Sequence, residues 1–117
     1  MRIGIMIGAD GPGATIDNII DTVKEAEAQG IDDAWLANIF SYDAISTMAL
    51  VGRETSTIGL GTAVTPTYPR HPTAIAQQAL TTAAASNNRF TLGIGLSHQI
   101  VIEGMLGMSY EKPARHM

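Results

Sequence analysis

The sequence predicts an α/β fold with a parallel sheet, on three observations. Four short runs, Ile3–Ile7, Ala34–Ile39, Ile58–Val64 and Phe90–Leu96, are apolar on both faces and bounded by Gly, Asp, Asn or Pro. That is the pattern of buried parallel strands. Three segments with helical periodicity alternate with these runs, and strand starts fall roughly 25 to 32 residues apart, which implies right-handed crossovers between parallel strands. The helix-to-strand connections (30–33, 55–57 and 87–89) are short, whereas the strand-to-helix segments 8–14 and 65–71, and everything after Ser97, are longer. Parallel α/β folds carry their sites beyond the carboxyl ends of the strands, so the elaborated side marks a small-molecule site.

The helices follow from spacing and end signals. In the first, from about Thr15 to Gln29, Ile16, Ile19, Ile20, Val23 and Ala26 recur on one face, and Gly30 supplies the stop. The second runs from about Tyr42 to Glu54, with Ile45, Met48, Ala49 and Gly52 facing inward and Ser41 as its expected cap. The third starts near Pro72, a residue suited to a first helical position, with an inner stripe of Ala76, Ala79, Leu80 and Ala83 and an end at Asn87-Asn88.

Composition removes several function classes. The 117 residues are 45% hydrophobic and 15% charged, which suits a folded core. A net charge of -4 with no basic block excludes a cationic nucleic-acid face. With no cysteine there is neither a disulfide nor a thiolate metal site, and the three histidines lack ligand spacing. No signal region or membrane-spanning run is present, and the expected location is the cytoplasm.

A closed (β/α)8 barrel and an open doubly wound sheet share this element order. The dinucleotide fingerprint of the latter is missing. The glycines of Gly8-Ala9-Asp10-Gly11-Pro12-Gly13 are misspaced, and Pro12 lacks the N–H that would hold a phosphate. No G-x-S-x-G elbow surrounds Ser97-His98, so a hydrolytic triad is not indicated. In the third strand Gly59, Gly61 and Ala63 share one face, and in the fourth Gly93, Gly95 and Ser97 do. These bare faces either leave room for a flat ligand or relieve crowding. Asn38, Thr65 and Ser97 end their strands, where each can meet a ligand or cap a turn. His98 lies just beyond the fourth strand. His71 caps the third helix or packs its loop. A full barrel needs roughly 250 residues, so four strand–helix units are about half of one. Pro113–Met117 reads as the opening of a further helix.

Gly59-Leu60-Gly61-Thr62-Ala63-Val64-Thr65, Pro69-Arg70-His71-Pro72, Ala76-Gln77-Gln78-Ala79 and Arg89-Phe90-Thr91-Leu92-Gly93-Ile94-Gly95, in that order, resemble the N-terminal half of luciferase-like flavin and deazaflavin oxidoreductases. The likeness extends from Arg2 to Met117. Ser97-His98-Gln99 and the tail resemble the branch that uses coenzyme F420, which includes methylenetetrahydromethanopterin reductases. The resemblance implies a TIM barrel of which residues 1–117 supply about the first four β/α units, with the coenzyme ring at its mouth. It implies a non-prolyl cis peptide within Thr62–Thr65, at Ala63-Val64, and a cofactor site containing Asn38, Gly61, Ala63, Val64, Thr65, Gly95, Ser97 and His98. Relatives often carry an acidic residue where Asn38 stands. The implied chemistry is hydride transfer between F420 and a small organic substrate, with an FMN-dependent monooxygenase as the alternative. The implied partner is a second copy of the chain or a missing C-terminal half. A non-catalytic half barrel that dimerises is the remaining reading.

Overall fold

A computed structural model describes residues 1–117. Strands β1 (Gly4–Ile7), β2 (Asp33–Leu36), β3 (Gly59–Thr62) and β5 (Phe90–Thr91) form one parallel sheet in the order β1-β2-β3-β5. Helices α1 (Ile16–Ala28), α2 (Ala44–Glu54) and α3 (Pro72–Ala85) connect them. The predicted fourth strand comes in two pieces, and a further short strand lies in the 65–71 segment that the sequence reads as a connection. Beyond β3 and β5 the chain re-pairs as β4 (Thr65–Pro66) with β6 (Ile94–Gly95), again in parallel. A π-helical segment, Ile100–Met105, and a short helix α4, Pro113–His116, complete the chain.

The core lies between the sheet and its helices. Ala34, Leu36, Ile58 and Leu60 present the bulky sheet face, and Ile19, Val23, Met48 and Val51 come down on it from α1 and α2. Val23, Met48 and Val51 are fully buried, and burial of each such side chain stabilises the fold by about 1.5–3 kcal/mol. The opposite sheet face, which carries Gly4, Met6, Trp35 and Gly61, has no helix on it. Met6 there is 63% exposed.

Helix ends follow local chemistry. Thr15 caps α1 through Oγ1, which accepts from Asn18 N at 3.1 Å, and Gly30 takes a positive φ of 82° just past its end. The expected Ser41 cap of α2 is corrected. Asp43 does this work, its carboxylate accepting from Ser46 N at 2.8 Å, because α2 starts at Ala44. His71 caps α3, Nδ1 accepting from Thr73 N at 3.1 Å. The inner stripe of α3 is also corrected. Ile75 and Thr82 are its buried residues, and Leu80 is 71% exposed. The helix is turned by its contact with α2, where Thr82 Oγ1 donates to Ile45 O and Ser86 packs on Gly52.

Two side chains tie the amino ends of the strands. Glu27, from α1, accepts from the backbone N–H groups of Ser56, Thr57 and Ile58 at 2.7–3.2 Å. Arg89 donates to Gly52 O, Thr55 O, Ile58 O and Thr55 Oγ1 at 2.8–3.1 Å. Both hold the short α2–β3 turn, which keeps elaboration on the other rim. No helix is long and apolar enough to cross a membrane.

Candidate active site

At the carboxyl rim, β2 ends at Leu36 and the chain runs through Ala37, Asn38, Ile39 and Phe40 before α2. On the neighbouring strand the Ala63-Val64 peptide is cis, at the position implied by the resemblance. It lies between β3 and β4, so the two-residue break separates the lower strand pair from the upper one. Asn38 N donates to Val64 O and Ala63 N to Leu36 O, which stitches the two rim segments together. Ser97, with a positive φ of 61°, turns the chain out of β6 toward His98 and the π-helical segment.

These segments enclose a hollow of about 430 Å³, within the range of small-molecule pockets. Ala37, Asn38, Ile39 and Phe40 form one wall, Ala63, Val64, Pro66 and Pro69 a second, and Ser97, His98, Val101, Ile102 and Leu106 a third. Most of the lining is apolar, and none of it is Lys or Arg. Apolar walls with few polar groups are the usual makeup of a small-molecule site. A wider depression of about 450 Å³ beside Tyr68, Lys112, Arg115 and His116 is lined by mostly exposed tail residues and has no such walls.

Of the eight residues expected at the site, five line the hollow: Asn38, Ala63, Val64, Ser97 and His98. Gly61, Thr65 and Gly95 are outside its lining. The bare face of Gly61 is covered by Trp35, whose six-membered ring a methyl group at Gly61 would overlap. The space beside Gly95 is taken by Val64. At Gly93 a methyl group would strike the carbonyl oxygen of Thr62, so that glycine permits a close backbone approach. The expectation that these glycines leave ligand space is therefore corrected: protein side chains and backbone fill it. Thr65 is fully buried, and its hydroxyl has no hydrogen-bond partner.

Asn38 makes a capping contact and also borders the hollow. Its Oδ1 accepts from Ala44 N at 2.8 Å, a first-turn N–H of α2 that the Asp43 cap leaves free. The amide NH2 is the end left for a ligand. Behind it, Arg70 pairs with Asp43 and joins the β4–α3 loop to the start of α2. Burial works to raise the Asp43 pKa. Hydrogen bonds from Ser46 and the charge of Arg70 outweigh it and hold the carboxyl below its usual value.

Three residues outside the sequence-based set contribute to this rim. Ile102 is the fully buried residue of the π-helical segment. Tyr68 is buried and stacks on His116 at 3.8 Å between ring centroids and on Tyr110 at 5.1 Å. Tyr110 in turn donates to Ser97 O at 3.2 Å and so braces the turn that presents His98. The sequence gives the aromatic residues but no spacing rule that pairs them.

A Mycobacterium tuberculosis protein provisionally named as a coenzyme F420-dependent oxidoreductase is 35% identical over 113 residues, spanning 97% of this chain and 32% of that protein. Among solved structures, the coenzyme F420-dependent tetrahydromethanopterin reductase of Methanopyrus kandleri superposes with a TM-score of 0.81 at 26% identity, over 93% of this chain and 30% of that one. The oxygenating constituent of 3,6-diketocamphane monooxygenase from Pseudomonas putida, solved with FMN, shares the fold with a TM-score of 0.85 at 18% identity, over 99% of this chain and 36% of that one. This chain thus spans about a third of the length of the proteins it resembles. The sequence profile of luciferase-like monooxygenases matches residues 1–117, the whole of the fold and the rim segments described above, and the chain belongs to that family.

Proposed function

We propose that residues 1–117 form the N-terminal half of a (β/α)8 barrel that binds coenzyme F420 and transfers hydride between it and a small organic substrate. The observation that carries this reading is the apolar hollow at the carboxyl rim, bounded by Asn38, the Ala63-Val64 turn and Ser97-His98. When bound, a deazaflavin supplies a carbon centre that accepts or donates hydride. The chain's own residues bind and orient. Ala63 and Val64 offer an apolar wall, Asn38 an amide donor, and Ser97 and His98 polar groups at the edge. Ile102 and Leu106 add apolar surface on that side. No acid–base pair converges on the hollow, which suits a reaction that depends mainly on alignment of two carbon centres.

With no Lys or Arg in the lining, this reading leaves the coenzyme's charged tail to residues outside the hollow. In this reading the helix-free sheet face is covered by a C-terminal half or by a second copy.

The test is a titration of the chain with F420 and, separately, with FMN, followed by coenzyme absorbance and by light scattering. Saturable binding of F420 is expected. Binding of FMN alone overturns the choice of coenzyme in favour of a flavin monooxygenase. A folded dimer that binds neither supports a non-catalytic half barrel instead.

A further inference from the structure

The indole of Trp35 lies across the inner face of the sheet. A methyl group added at Gly4 would sit 3.3 Å from its Nε1, and one at Gly61 would overlap its six-membered ring. The side chain therefore spans three strands, from β1 through β2 to β3, over two glycines that leave it room. Register places Met6, Trp35, Gly61 and Thr91 in one row across the sheet. In that row Trp35 is the only ring.

Ala37 and Ala63 follow two residues further along the same strand directions, and both line the hollow. Two residues along a strand amount to about 7 Å, so the indole lies one side-chain layer beneath the hollow's wall. From β2 and β3 that layer contributes the methyl groups of Ala37 and Ala63, with Val64 beside them against Gly95, and the indole lies outside the lining of the hollow itself. Barrel interiors are filled in such layers.

We infer that Trp35 supports the floor of the coenzyme hollow from beneath Ala37 and Ala63, a positioning residue that sets how deeply a planar ligand enters the barrel. It acts by shape and apolar contact rather than by proton transfer. The glycines at 4 and 61 are then part of the same device, since a side chain at either would lift or tilt the indole. The inference rests on coenzyme binding in the hollow.

Trp35 is the sole tryptophan, so its emission reports on this site without ambiguity. The experiment measures acrylamide quenching of that emission in the wild-type chain, with and without saturating F420, alongside F420 affinity from coenzyme absorbance for wild type, Trp35→Phe and Trp35→Ala. Expected is a several-fold loss of quencher access when F420 binds. Trp35→Ala weakens binding about tenfold while Trp35→Phe largely restores it, in keeping with an aromatic contact. F420 binding with unchanged quencher access overturns the floor assignment and leaves the coenzyme reading intact. A folded Trp35→Ala chain with wild-type affinity does the same. Failure of the wild-type chain to bind F420 overturns both. Should Trp35→Ala not fold, the wild-type quenching comparison decides.

Discussion

Glu27 shows how one side chain can fix a turn that sequence periodicity leaves open. Burial pushes its pKa up, but donation from Ile58, Thr57 and Ser56 more than offsets this and brings it down to about 2 from 4.5. A carboxyl with a lowered folded-state pKa stabilises the fold above its unfolded value and loses that contribution as pH falls through the folded one. Urea unfolding of the wild type should therefore show stability declining between about pH 4.5 and pH 2. Glu27→Gln should flatten that part of the profile and cost about 1–2 kcal/mol at neutral pH, with water replacing part of the lost bonding. Asn38 permits a parallel test. Asn38→Ala removes the acceptor for Ala44 N and should cost about 1 kcal/mol, whereas Asn38→Asp retains an acceptor there and should unfold near the wild-type midpoint. Equal destabilisation by both would show that the cap is not what Asn38 contributes.

At the scale of elements, the break between β3 and β4 matters most. β3 pairs with β5 and β4 with β6, and between them the rim segments of β2 and β3 hold each other by backbone hydrogen bonds. This puts Asn38 and Val64 on one rim although 26 positions separate them in the chain. The opposite rim is held by Arg89. Its guanidinium satisfies the carbonyls of Gly52, Thr55 and Ile58 at the end of α2 and the start of the next strand. Arg89→Lys keeps the charge but cannot make the same fan of bonds. A loss of about 2–3 kcal/mol is expected by thermal or chemical unfolding. Little change in midpoint would mean that the α2–β3 turn does not depend on this residue.

For the whole molecule, the decisive feature is asymmetry of cover. Helices bury one sheet face, while the face bearing Met6 and Trp35 has none, and β1 and β5 are unpaired edges. Open parallel edges and exposed apolar side chains favour association. Light scattering across a concentration series should show self-association of the chain, and Met6→Lys should reduce it by placing a charge on the helix-free face. A monomer at every concentration would remove the second-copy reading.

The order of strands and helices, the parallel pairing and the elaborated rim were legible in the sequence because they depend on short-range patterns: runs of Ile, Leu and Val, helical spacing, Gly30 and Pro72 at helix ends, and unequal loop lengths. The ordered motifs also placed Ala63-Val64, Asn38, Ser97 and His98 together on resemblance. What residues far apart do to each other was not legible. Only packing revealed that Trp35 occupies the space left by Gly61, that Val64 occupies the space beside Gly95, and that Asp43 rather than Ser41 caps α2. The phase of α3 was likewise set by its contact with α2, which turned Leu80 outward. A period of 3.6 or 2 residues states which side chains share a face. Which faces are filled, and by whom, is decided by volume and hydrogen bonding between elements.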